Sequence, residues 1–239
     1  MEPDWPPSFF SYGRICQVPP EQVRDALSGV FGRWGKCGAM RVDNGLPLGT
    51  PKKETTSPLA LWLIGHDVDM IFNKPYCPQA NAKVERMQDV SRRWAEADSA
   101  RHLAHLQGRL DQEALVQRAG LGVSRMGYLT RLQSFPQLET SRRPWRPQDF
   151  EPTRIYGFLA RKVYVRLVSK VGQIVLFGQR FSVGQRHRGK WVHINRDVGQ
   201  IAWRVFDGQD LARAIPADHL ATDRLMNLTV NVNERTYET

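Results

Sequence analysis

The chain has 239 residues, 41% of them hydrophobic and 10% aromatic, enough to bury one large core or two small ones. Its 34 lysines and arginines outnumber 24 acidic residues, and the formal charge of +10 points to a polyanionic partner, nucleic acid foremost, although ribosomal and membrane-surface proteins share the bias. There is no apolar run of the roughly 18 residues that a membrane span needs, the start MEPDWPPSFF lacks signal-peptide order, and Cys16, Cys37 and Cys77 form no CxxC pair, so the expectation is a soluble, cytoplasmic protein with reduced thiols.

In chain order, SFFSYGRICQV reads as a strand, and PPEQVRDALSGVFGRWG as an amphipathic helix with Val23, Leu27, Val30, Phe31 and Trp34 at helical spacing. GAMRVDNG follows as a short buried strand entering an Asn-Gly turn, and strand, helix, strand implies a βαβ crossover. Ser57 is placed to cap a helix through LALWLIG, and VDMIFN reads as a third strand. A loop with Pro75 and Pro78 then leads to Asn81, a cap for the helix AKVERMQDVSRRWAEADSA. RHLAHLQGRLDQEALVQRAG is helical, and FPQLETSRRPWRPQDFEP, with four prolines, reads as a tether that puts a domain boundary near 150.

Beyond the tether come KVYVRLV, GQIVLF, RFSVG, KWVHIN and QIAWRVF, short β-type runs between Gly and Asp turns, which predict a small five-stranded barrel. The tail from Asp218 is expected to fray. The fold class is therefore α+β, divided as an α/β domain over 1–100, a helical and Pro-rich linker over 101–153, a barrel over 154–216 and a tail over 217–239.

Charge localises to the barrel, where residues 154–206 carry eleven lysines and arginines against one acid, Asp197, equal to the whole excess of the chain. A passive surface mixes both signs, so a nucleic-acid surface is the favoured reading over a merely basic domain. Cations flank aromatics in RHRGKW around Trp191 and in AWR around Trp203. Alternation along QIAWRVF sends Ile201, Trp203 and Val205 to one face and Arg204 to the other, so the phosphate-contact candidates are Arg180, Arg186, Arg188, Lys190 and Arg204.

Asp43 closes a strand ahead of Asn44 and Gly45, and Glu85 falls in the first turn of a helix. Taken alone they read as a turn residue and a favourable helix N-terminal charge; together they could share a hard divalent cation. RVDNGLPLG followed by FNKPYCPQANAKVERMQ resembles the catalytic core of DDE transposases and retroviral-integrase-like proteins, over roughly residues 8–95. In that family a strand-ending Asp-Asn-Gly and a later Pro-x-x-Pro-x-x-Asn-x-x-x-Glu-Arg carry the second and third metal-binding carboxylates, and Pro75, Pro78, Asn81, Glu85 and Arg86 match in order. The run VSKVGQIVLFGQRFSVGQRHRGKWVHIN is likewise similar to the basic SH3-like barrels that follow such cores.

The resemblance implies a partial RNase H-like core, Mg²⁺ or Mn²⁺ held by Asp43 and Glu85, and nicking and strand transfer on double-stranded DNA by in-line displacement, in a homo-multimer. Asn44, Gly45, Asn81 and Arg86 would support the site, and Arg92, seven residues beyond Glu85 on the same helix face, would contact phosphate or stay a solvated arginine. The chain departs from the pattern in three ways. Asp43 and Glu85 are separated by 41 residues, more than usual, and Ala82 stands where many relatives have glycine. No strand-borne first Asp precedes the first helix, Asp4 lying in a Pro-flanked stretch. The expectation is the rear of a longer transposase, catalytically incomplete, with a non-catalytic DNA-binding remnant as the alternative and an RNA-binding protein as a third class.

Two other clusters carry blander readings. His66, Asp67 and Asp69 look like a helix end entering a strand, with His66 favourable at a helix C-terminus. His102 and His105 lack the Glu and third ligand of a zinc helix, and no zinc is expected.

Overall fold

In the computed structural model, which describes residues 18–50, 55–74, 79, 82–140, 143–199 and 201–231, the chain is a mixture of helices and mostly antiparallel strands. The helices are α1 (Pro20–Trp34), α2 (Pro58–Gly65), α3 (Ala82–Trp94), α4 (Leu103–Leu115), α5 (Arg131–Ser134), α6 (Gln137–Thr140), α7 (Pro152–Ala160) and α8 (Thr222–Met226). The strands are β1 (Ala39–Val42), β2 (Asp69–Phe72), β3 (Val163–Leu167), β4 (Gln173–Leu176), β5 (Gln179–Ser182), β6 (Trp191–Asp197), β7 (Ala202–Asp207) and β8 (Asp210–Pro216). The strand expected over 8–18, apart from Val18, and Asp4, Cys16, Cys77, Pro75, Pro78 and Asn81 lie outside the described residues.

The chain divides into two compact units, and the division differs from the expected one. Val18–Asn73 joins Trp145–Thr239 in a sheet unit, while the described part of the other, helical unit falls within Lys74–Pro144. The segment around Asp43 thus shares its core with the basic C-terminal strands. Leu61 and Ile64 of α2 pack with Ile155 and Leu159 of α7 and with Tyr164, Ile194 and Val205 of the strands.

Local chemistry explains the elements of the sheet unit. Pro20 opens α1 where a missing N–H is harmless, and Gly35, at φ 80°, ends it with its N–H on Phe31 O. Ser57 Oγ accepts from Ala60 N at 3.2 Å and caps α2, an apolar helix buried from Leu59 to Gly65. Each fully buried leucine there contributes roughly 1.5–3 kcal/mol. α2 joins β1 to β2, which pair in parallel, but β1 buries only Val42, so the strand is less buried than its sequence suggests.

The expected closed barrel is not found among the described residues. β3, β6, β7 and β8 form an open antiparallel sheet in the order β3-β6-β7-β8, and β4 and β5 pair only with each other. Arg166 makes a link that backbone pairing does not, its Nε donating to Val175 O at 3.0 Å across from β3 to β4. All five short runs are strands; β8 and α7 are additional to them.

The tail is also a correction, since Leu220, Leu225 and Val230 are fully buried and residues as far as 230 belong to the core. The second half of the expected tether is anchored too. Trp145 lies 5.3 Å from the Phe31 ring and 5.6 Å from Trp62, and Phe150 packs on His66.

In the helical unit, Ser91 Oγ on α3 donates to Glu113 Oε2 on α4 at 3.3 Å, and α4 runs on into a π-turn at Val116–Gly120. Arg109 ties the α3–α4 connection by donating to Ala95 O, Glu96 O and Ser99 Oγ. A capping box at Thr130 and Gln133 starts α5, and Arg131 donates to Gln117 O at 2.6 Å. His102 caps α4, its Nδ1 accepting from His105 N at 3.2 Å.

Candidate nucleic-acid interface and carboxylates

The antiparallel register sorts the sheet unit's side chains by face. Tyr164, Ile194 and Val205 align on the inner face, while Val165, His193 and Phe206 align on the outer one. Trp203 is 0% exposed and donates from Nε1 to His219 Nε2 at 3.2 Å, with Arg204 turned outward, as the alternation of QIAWRVF predicts. Ile201 departs from that pattern: it sits in the turn before β7 at φ 47° and is 53% exposed. Trp191, by contrast, is 63% exposed on the outer face opposite Leu167.

The eleven cations of residues 154–206 divide into structural and available groups. Arg196 is buried, only 4% exposed, donating to Asp197 O and Ala202 O and lying 4.9 Å from the Tyr156 ring; desolvation pulls its pKa down. Arg154 is ion-paired with Asp67. Lys190 and His187 converge on Asp207, each at 2.7 Å, and these hydrogen bonds hold the Asp207 carboxyl below the usual carboxylate range. Arg204 pairs with Asp197 at 3.4 Å.

Of the five phosphate-contact candidates, Arg180, Arg186 and Arg188 remain. Arg180 lies on the outer face of the β4–β5 hairpin beside Val175, and Arg186 and Arg188 flank the buried His187 in the turn before β6. Arg186 donates to His187 Nε2 at 2.9 Å, and Arg180 and Arg188 make no ion pair or hydrogen bond among the described residues. Three exposed guanidinium groups free of carboxylates suit phosphate binding, and the exposed Trp191 offers a stacking surface near Lys190 in sequence.

Asp43 is exposed just beyond β1, its Oδ1 accepting from Gly45 N at 3.1 Å. Asn44 turns its amide to Asn73 O at 2.9 Å, so Asn44 and Gly45 fix the turn that presents Asp43. Gly49 folds back on this turn so closely that a Cβ would strike the Asn44 backbone. Glu85 and Arg86 are exposed on α3, and Arg92, on the same helix, is engaged by Asp98 at 3.2 Å.

Asp43 belongs to the sheet unit and Glu85 to the helical unit. Each is a hard oxygen donor suited to one position around Mg²⁺. Among the described residues no three His, Cys, Asp or Glu side chains come together to hold a metal.

Sequence patterns gave no hint of Lys162 and Tyr164, which with Thr56 line a cavity beside Asn44; nothing in their spacing marks them. Among the described residues no helix is long and apolar enough to cross a membrane. No protein-family model matches the chain, and no curated protein sequence matches it.

Proposed function

We propose that this chain is a cytoplasmic DNA-handling protein of the DDE integrase and transposase type, binding duplex DNA through its sheet unit. The observation that carries the reading is the set of carboxylate-free guanidinium groups, Arg180, Arg186 and Arg188, clustered with Lys190 and the exposed Trp191 within one short stretch of strand and turn. In the same reading β1, α2 and β2, a parallel crossover whose first strand ends in the Asp-Asn-Gly turn, are part of an RNase H-like core. Asp43 and Glu85 are its second and third carboxylates, ligands for Mg²⁺ or Mn²⁺, and the protein works as a homo-multimer.

Catalysis also needs the first carboxylate of the family's three, and that favours a second reading, in which the chain binds DNA without cutting it. The specific observation behind it is that no three His, Cys, Asp or Glu side chains come together to hold a metal among the described residues. Purified chain incubated with labelled DNA ends in Mn²⁺ separates the two. Joined products that disappear in Asp43→Asn and in Glu85→Gln establish the strand transferase. Retained binding without joining establishes the binding protein, and a strong preference for structured RNA at equal salt would remove both.

A further inference from the structure

Within the sheet unit, the segment leading into α2 and the start of β3 enclose a cavity of about 330 Å³, at the small end of ligand pockets. Asn44, Thr50, Thr56, Ser57, Lys162 and Tyr164 are among the residues that line it, and no Asp or Glu is among the described ones. Lys162 is half-buried, with Nζ 3.5 Å from Thr56 Oγ1 and 4.4 Å above the Phe158 ring, and burial lowers its pKa. It has no carboxylate partner among the described residues. An ammonium drawn out of water without a counter-ion is held at a cost that an anionic ligand would relieve.

Tyr164 adds an independent observation. The residue is 6% exposed, and its hydroxyl is buried without a hydrogen-bond partner among the described residues. Burial pushes its pKa up to about 12, so the group is a proton donor across the ordinary pH range. Hydroxyl and ammonium donors around a small cavity suit a tetrahedral oxyanion with several acceptor oxygens. Ser57, which lines the cavity, caps the N-terminus of α2, and the helix's positive end favours negative charge there.

We propose that this cavity binds a phosphate group, with Lys162 as its counter-ion and the Thr56 and Tyr164 hydroxyls as hydrogen-bond donors, and that the phosphate is the 5′ end of a DNA strand. The anion preference follows from the cavity; the choice of a DNA strand as carrier rests on the DNA reading. Asn44 on the cavity wall is the residue after Asp43, so a strand end held here would lie next to the turn that presents that carboxylate.

The test titrates the full chain with inorganic phosphate and with one oligonucleotide in 5′-phosphorylated and 5′-hydroxyl forms, using wild type, Lys162→Met and Tyr164→Phe. Both substitutions preserve most of the buried volume, and circular dichroism checks that the variants fold. The phosphorylated strand is expected to bind about tenfold tighter than its twin, the worth of one charge-assisted contact. Lys162→Met abolishes that advantage, Tyr164→Phe reduces it, and inorganic phosphate competes it away. Equal binding of the twins by wild type without phosphate binding, or an advantage that survives Lys162→Met, overturns the proposal. If inorganic phosphate binds in a Lys162-dependent way while neither oligonucleotide binds, the cavity takes free phosphate, and it is the DNA reading that fails.

Discussion

His66 shows how burial can reverse what local sequence suggests. As the residue capping the C-terminal end of α2 it looks suited to carry a proton, yet it is enclosed by Trp62, Trp145 and Phe150, and neither ring nitrogen has a hydrogen-bond partner among the described residues. Burial, reinforced by Lys36, lowers its pKa to about 4, and His219 falls to about 4 through burial with Arg224 and Arg196 nearby. Both histidines are neutral in the folded protein and bind protons more readily unfolded, so they favour the fold fully above about pH 6.5, and that contribution is lost as pH falls toward 4. Urea midpoints should therefore drop between pH 7 and pH 4.5, and His66→Phe should lessen the drop; a midpoint that stays level in wild type would contradict the buried, neutral assignment. The helix end at His66 was legible from sequence, but the aromatic enclosure was not, because Trp145 and Phe150 arrive from a segment that reads as a Pro-rich tether.

At the level of elements, strong local patterns survived and sparse ones did not. α1, α2, α3 and the five short β runs follow from helical spacing, the Ser57 cap and alternation, and Trp203 and Arg204 face as their alternation predicts. β8 escaped notice because Leu211, Ala212 and Ile215 alternate too irregularly, and the bulge between Val205 and Phe206 breaks the simple register of its pairing. The tail has few apolar residues, but Leu220, Leu225 and Val230 each reach the core, and Tyr156 on α7 donates to Leu220 O at 3.2 Å. Ending the chain after Pro216 should therefore abolish cooperative unfolding of the sheet unit, since losing each such side chain costs about 2–5 kcal/mol. Hydrogen exchange reads the result directly: full protection of β6 and β7 in the shortened protein would show that the tail is dispensable.

For the whole molecule, the excess positive charge was visible in the sequence, but its division was not. Which cations neutralise Asp67, Asp197 and Asp207, and which face solvent alone, depends on pairings between segments far apart in the chain, such as Arg154 with Asp67. The grouping of the Asp43 turn with the basic strands likewise arises from α2 packing on α7, which no local pattern announces. Binding of DNA phosphates by Arg180, Arg186 and Arg188 is the step on which the functional reading stands. Duplex-DNA affinity measured against salt concentration, for wild type and for the triple alanine variant, tests it directly. Wild-type binding should weaken steeply with salt, and the log–log slope of the variant should be shallower by about 3, close to one for each phosphate that the variant leaves without its arginine. Wild-type binding that ignores salt, or a variant with the same slope, would contradict it.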